Sequence, residues 1–372
     1  MAVDEVELPG RRGTNLVFAI PDSRCIFLPK GGFMHTTTKI LAILTLFLLP
    51  GACDSSSGFD PSQDVIPVAD TTPRSDAVLD IAAEETSATE LLAEIPQEWP
   101  APPDFVGGER PAKYLVPVDY SPDQKWPLVI LLHGYAFSSF VQEAMFQFGT
   151  QVDDSGILLV IPDGTVDEKS KQFWNATDAC CDEFGTGVDD VSYILSLIDE
   201  MAVYFRVDPK RVYLVGHSNG GFMSYRMACE AGDRIAAIVS LAGANWIDPA
   251  DCSAAFPVGV LQVHGTQDTT IRYDGWGGAS DEDHYYAGYP SAEASVGSWA
   301  QRNGCGSSET GASFDLDPDL PGLETVPTEW SDCEDGFRVA LWTMEGGVHV
   351  PNFTNANFAR LALEFLLSQA RP

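Results

Sequence analysis

From residue 113 onward, apolar residues recur in two alternating rhythms. Continuous aliphatic and β-branched runs occur at 114–118, 128–132, 157–161, 212–215, 235–241, 258–263 and 339–344. Runs that are apolar at nearly every position predict strands covered on both faces. Between them the period lengthens. Val191, Ile194, Leu195, Ile198, Met201, Ala202 and Phe205 share one helical face, with Asp189 and Asp190 at its start to cap free N–H groups and suit the dipole. A further apolar helix is expected over 358–367. Strand–helix alternation on this scale predicts an α/β domain over 111–372, with a mostly parallel central sheet and helices on both faces.

Upstream the pattern stops. Residues 1–33 show no sustained periodicity and precede a natural start at Met34, so they read as an over-annotated leader. Residues 34–53 read as a signal peptide: a polar start with Lys39, then 40–49 apolar apart from Thr45, too short to span a bilayer. Pro50-Gly51-Ala52-Cys53, followed by Asp54 and three serines, resembles a bacterial lipoprotein cleavage site. In that resemblance Cys53 carries the lipid, although Pro50 stands where an aliphatic residue is usual. The expected address is secreted or cell-envelope lipoprotein. Residues 54–110 hold 13 acidic and 2 basic residues among Ser, Thr and Pro, and read as a disordered acidic tether.

Composition narrows the function classes. The chain has 372 residues and a formal charge of −33, and its 45% hydrophobic content excludes global disorder. Residues 111–372 carry 37 acidic and 14 basic residues, so the folded part is acidic too. Such a surplus repels phosphate backbones and anionic bilayers, which excludes nucleic acid as a partner. Membrane attachment is left to a lipid at Cys53, because no apolar run reaches the ~20 residues of a spanning helix. The eight cysteines show no CxxC or CxxH spacing, so no metal or other cofactor is expected. Asp315, Asp317 and Asp319 are spaced like calcium ligands, but Pro318 intrudes and no bidentate Glu closes the loop; an acidic surface loop is expected.

The chemistry concentrates at Gly216-His217-Ser218-Asn219-Gly220, directly after one strand run and before a helix. G-x-S-x-G alone is a weak signal, but a strand–turn–helix junction is the context a nucleophile elbow requires. A serine hydroxyl needs a neighbouring base. Downstream of Ser218 only His264, His284 and His349 are available. His264 ends a strand run and suits a structural hydrogen bond, and His284 lies in an acidic loop. His349 follows the last strand in a glycine-rich loop, where ligands gather in such sheets, and is the expected base. Asp268 is the expected orienting acid, giving the chain order Ser, Asp, His; Asp274, six residues on, is its competitor. The oxyanion donors are expected to be the backbone N–H groups of Asn219 and Tyr135, with His133 and Gly134 shaping the second turn.

These motifs resemble a family of secreted α/β-hydrolase esterases grouped with polyhydroxybutyrate depolymerases and feruloyl esterases. The resemblance runs from about Tyr114 to Phe353. It rests on Leu132-His133-Gly134, Trp174-Asn175-Ala176-Thr177 through Cys180-Cys181, Asp189-Asp190-Val191, the Ser218 motif, His264-Gly265-Thr266-Gln267-Asp268, Pro290-Ser291-Ala292, Trp299 to Cys305, and Gly346-Gly347-Val348-His349. It implies hydrolysis of carboxylic esters through an acyl-enzyme, with Ser218, Asp268 and His349 in the roles given above. Two positions depart from the pattern: Tyr135, where a small residue or cysteine is frequent, and Val350-Pro351, where an aromatic is common.

The expected substrate is a polymer-derived, aromatic or short-chain ester, neutral or weakly charged, with Trp174, Trp276 and Tyr135 offering aromatic surface. A catalytically inactive hydrolase fold that binds a polymer or partner, and a serine peptidase, are the other readings. With Cys25 and Cys53 set aside, six cysteines remain for an oxidising compartment. Cys229 with Cys252, and Cys305 with Cys333, are plausible pairs. Cys180 and Cys181 then either close on each other or stay as two buried thiols.

Overall fold

A computed structural model describes residues 16–20, 24–28, 99–280, 285–353 and 356–372. The chain divides into two compact units, Met1–Thr86 and Ser87–Pro372. In the first, Leu16–Ile20 pairs antiparallel with Arg24–Leu28, so the stretch read as featureless contains strands. The signal segment 34–53 with Cys53, the tether up to residue 98 and His284 lie outside the described residues.

The second unit is built on a nine-stranded sheet. In chain order its strands are β1 (Lys113–Leu115), β2 (Trp126–Leu132), β3 (Leu158–Ile161), β4 (Val207–His217), β5 (Ala237–Leu241), β6 (Gly259–Gly265), β7 (Ser308–Thr310), β8 (Thr325–Trp330) and β9 (Val339–Met344). Their spatial order is β7-β8-β9-β6-β5-β4-β2-β3-β1. The six central strands from β9 to β3 run parallel, β1 and β8 run antiparallel to them at the two sides, and β7 pairs antiparallel with β8 at the edge.

Parallel strands need crossovers, and the helices supply them on both faces. They are α1 (Ser139–Phe146), α2 (Asp190–Tyr204), α3 (Asn219–Glu230), α4 (Ala292–Arg302) and α5 (Asn357–Leu367). The pleat of β2 shows why its run is apolar throughout. Leu128, Ile130 and Leu132 join the cluster with Ile194, Phe222 and Trp299 of α2, α3 and α4. Val129 and Leu131 join Phe146 and Phe358 of α1 and α5 on the other face. Asp189 caps α2 by accepting from Ser192 N. Asp190 does something else: it is fully buried, paired with Arg110 at 2.7 Å, and accepts from Asn175 N. Among the described residues no helix is long and apolar enough to cross a membrane.

Two regions differ from expectation. Residues 103–110, assigned to the tether by composition, pack on the domain: Val106 is buried and bridged to Ala112, and Gly107 N donates to Glu200. The stretch 306–332, which includes the Asp315, Asp317 and Asp319 segment expected as a surface loop, contributes β7 and β8. Pro327 and Glu329 argue against a strand in sequence, yet β8 is held by β9 on one side and β7 on the other. The cysteine pairs Cys180–Cys181, Cys229–Cys252 and Cys305–Cys333 are disulfide-bonded.

Candidate active site

Ser218 occupies the one-residue turn between β4 and α3, with φ 53° and ψ −118°. A non-glycine residue held in such a region costs about 1–3 kcal/mol, comparable to burying one aliphatic side chain. The surrounding packing supports that strain. A side chain at Gly216 would collide with the Gly220 backbone, and one at Gly220 with the Leu132 carbonyl, so strand, helix and the β2 turn meet only because both lack a Cβ. Ser218 N donates to Leu241 O at 2.8 Å, tying the turn to β5.

The loop after β9 brings His349 over this turn, with Nε2 3.0 Å from Ser218 Oγ. On its other side Nδ1 lies 2.7 Å from Oδ2 of Asp268, whose side chain is fully buried at the end of β6. Asp268 Oδ1 accepts from Thr270 N and Ile271 N at 2.8 and 2.9 Å. Burial alone would push this carboxyl upward, but hydrogen bonds from His264, His349 and the turn backbone hold it well below the usual carboxylate range. Asp274 is exposed and is not among these partners.

The N–H groups of Tyr135 and Asn219 have no hydrogen-bond acceptor among the described residues, whereas Gly134 N is taken by Gln142 Oε1 at 3.2 Å. A Cβ on Gly134 would lie 3.4 Å from Ser218 Cβ, so the turn sits against the serine. The Asn219 amide spans the Trp174 backbone, accepting from its N and donating to its O. His133 is buried; its Nε2 accepts from Gly164 N, and burial lowers its pKa.

His217 lies beneath. Its Nε2 is 2.9 Å from the His349 carbonyl oxygen, while Nδ1 is buried without a partner among the described residues. Burial, with the His349 ring beside it, pushes its pKa down to about 3.

The aromatic residues separate. Trp174 is fully buried, its Nε1 donating to His133 O and its ring packed on His133 and Tyr193, so it offers no surface to a substrate. Tyr135 donates its hydroxyl to Asp167 at 2.6 Å. Trp276 is half-buried and lines a cavity of about 540 Å³ with Phe184, Asp182 and the Cys180–Cys181 disulfide. Asp317 is buried, not a surface charge. It accepts from Asp319 N and Asn352 N, which ties its loop to the segment just after His349.

Sequence reasoning passed over Gln142, His217 and Gln262. Gln262 alone carried a signal, a polar residue inside an otherwise apolar strand run.

Residues 105–295 match the model of a family described as "Putative esterase". The chain is 30% identical over 236 residues to feruloyl esterase B of Piromyces equi, which covers 63% of this chain and 41% of that protein. It is 28% identical over 167 residues to a bifunctional acetylxylan esterase/xylanase of Neocallimastix patriciarum, covering 45% of this chain and 22% of that one. The aligned segments therefore span less than half of either relative. Among solved structures, acetyl xylan esterase from Aspergillus awamori superposes with a TM-score of 0.50 at 16% identity, over 69% of this chain and 94% of that chain. At that identity the likeness speaks to the fold, a mostly parallel sheet flanked by helices.

Proposed function

The chain belongs to the esterase family whose model it matches over residues 105–295, with an α/β-hydrolase fold, and on that premise we propose that it is a serine carboxylic-ester hydrolase. The observation that carries this reading is the unbroken line from Ser218 Oγ through the His349 ring to buried Asp268, beside two backbone N–H groups that have no acceptor among the described residues. His349 Nε2 takes the hydroxyl proton as Ser218 Oγ bonds to the ester carbonyl carbon. The oxyanion forms against Tyr135 N and Asn219 N. Collapse breaks the ester C–O bond, and His349 returns the proton to the leaving alcohol. Water then attacks the acyl-enzyme by the same route, releasing the acid and restoring Ser218. Asp268 holds the imidazole orientation and stabilises its charged form.

The substrate class we favour is a short-chain or aromatic ester carried on a neutral extracellular polymer, such as a feruloyl- or acetyl-decorated polysaccharide or a hydroxybutyrate oligomer. Feruloyl and acetylxylan esterases among the relatives support the first two. The acidic domain disfavours polyanions. Three disulfides agree with export, and attachment through a lipid on Cys53 belongs to the same proposal.

One panel tests the reading: p-nitrophenyl acetate and palmitate, methyl ferulate, acetylated xylan and a hydroxybutyrate oligomer, each with a Ser218→Ala control. Turnover of acetate or ferulate, lost by ~10⁴-fold or more in the control, is expected. Absence of ester turnover and of labelling by a serine-reactive phosphonate would favour a binding module. Faster turnover of amides than of esters would make it a peptidase.

A further inference from the structure

Behind Asp268, on the side away from Ser218, buried polar side chains form a continuous row in an otherwise apolar region. Tyr225 of α3 donates its hydroxyl to Gln262 Oε1 at 3.0 Å. Gln262 Nε2 donates to the Gly243 carbonyl at 2.8 Å and lies 3.0 Å from His264 Nδ1. His264 Nε2 is 2.8 Å from the Ile271 carbonyl and 3.4 Å from Asp268 Oδ2. Tyr225 and Gln262 are fully buried and His264 is 1% exposed. Polar groups at such depth are tolerated when hydrogen-bonded, and each donor here has an acceptor.

The directions of these bonds are fixed by chemistry. A peptide carbonyl only accepts, so the amide nitrogen of Gln262 must face Gly243, and the phenol of Tyr225 donates to the amide oxygen. The second amide hydrogen then points at His264 Nδ1, which must accept it. The proton of the His264 ring therefore sits on Nε2, donated to the Ile271 carbonyl and facing Asp268 Oδ2 at 3.4 Å.

We propose that His264 is a positioning residue for Asp268, and that Gln262 and Tyr225 set its tautomer. The proposal rests on Ser218, His349 and Asp268 being the ester-cleaving groups. Asp268 Oδ1 is held by two turn N–H groups, and Oδ2 lies between His349 and His264. By bonding the Ile271 carbonyl while its Nε2 stands 3.4 Å from the carboxylate, His264 clamps the 268–271 turn to the end of β6 and backs the carboxylate plane that aims at His349. The neutral ring leaves the charge of Asp268 for the imidazolium formed during catalysis. The opposite tautomer would turn a lone pair toward Oδ2 and push the carboxylate out of line.

The first readout needs no variant. Long-range proton–nitrogen correlation on ¹⁵N-histidine-labelled protein at neutral pH resolves the tautomer of each ring, and the chain has only six histidines. The expected signature for His264 is protonated Nε2 with unprotonated Nδ1; protonation on Nδ1 overturns the proposal. The second readout is kinetic, on p-nitrophenyl acetate, with active sites counted by a serine-reactive phosphonate. His264→Leu is expected to lower kcat by about 10²-fold, the effect of a misplaced catalytic group. KM should stay within about two-fold, since ground-state binding is untouched. His264→Gln keeps an N–H at the Nε2 position and is expected to recover at least about 10-fold of that loss. Full kcat per titrated site in His264→Leu, or equal loss in both variants, overturns the proposal. Should His264→Leu fail to fold, the tautomer and the comparison of His264→Gln with wild type decide, a Gln variant within about 10-fold of wild type being expected. Wild-type protein that cleaves no ester would defeat the proposed function, while an Nδ1–H tautomer would defeat this inference alone.

Discussion

His349 Nδ1 lies 2.7 Å from Asp268 Oδ2, whereas Asp274, six residues further along the same loop, is exposed to solvent. Only the first carboxylate can hold the imidazole with Nδ1 protonated and Nε2 free to accept from Ser218. Asp268→Asn should therefore reduce kcat on p-nitrophenyl acetate by on the order of 10⁴-fold, and Asp274→Asn by little. Steady-state kinetics on the two variants check this. A near-normal Asp268→Asn enzyme beside an inactive Asp274→Asn enzyme would reverse the assignment of the acid.

His217 predicts how stability depends on pH. Its folded-state pKa of about 3 lies below the ~6.5 of an unfolded histidine, so the unfolded chain binds a proton that the folded chain refuses. Stability from this group is fully present above pH 6.5 and drains as pH falls toward 3, by up to about 1.4 kcal/mol per unit. Asp268, held below its ordinary value, adds a second loss only below about pH 4. Half-buried Glu143 and buried Asp190, held above theirs, act in the opposite sense. Urea unfolding at pH 7.0, 5.5 and 4.5 should show falling stability in the wild type. His217→Leu should be less stable at pH 7 but flatter below it; parallel profiles would count against the assignment.

How far the sequence reaches depends on the range of the interaction. The central strands are legible because both faces of the sheet are buried, so β2, β3, β5 and most of β6 are apolar at nearly every position. The grouping of Ser218, Asp268 and His349 into one candidate site is legible because each follows a strand run, where local pattern locates it. β8 is not, because Pro327 and Glu329 obscure its pairing with β9. Trp174 shows the limit most clearly. Its motif marks it as a residue of the site region, but only the positions of His133 and Tyr193, distant in sequence, decide that its ring faces inward. The bond of Gln142 to Gly134 and that of His217 to the His349 carbonyl likewise depend on how loops meet in space.

The Cys305–Cys333 disulfide spans 28 positions and closes the segment that supplies β7 and β8. Loop-closure entropy for such a span corresponds to about 3.5 kcal/mol of stabilisation. The double variant Cys305→Ser/Cys333→Ser should lose about that amount in denaturant unfolding, while retaining ester turnover below the transition. The proposed site residues come from the turns after β2, β4 and β6 and the loop after β9, not from the closed segment. A loss of turnover without a loss of stability would show that this segment contributes to the site directly.

Gln142 bears on which backbone groups meet the oxyanion. Its Oε1 accepts Gly134 N from inside α1, which removes that N–H from the site and leaves Tyr135 N and Asn219 N. Held this way, the turn keeps its place against Ser218, where a Cβ on Gly134 would be 3.4 Å from the serine Cβ. Gln142→Leu fills a similar volume but offers no acceptor, so Gly134 N becomes an unpaired buried donor and the turn can rotate. An oxyanion donor that loses its aim weakens the transition state more than the bound ester. We therefore expect kcat to fall by up to about 10²-fold with KM nearly constant, the signature of an interaction made mainly in the transition state. Affinity for a phosphonate that mimics the tetrahedral intermediate should fall in parallel. If kcat stays at the wild-type level while KM rises, Gln142 shapes substrate entry instead, and the oxyanion donors are not set by this bond.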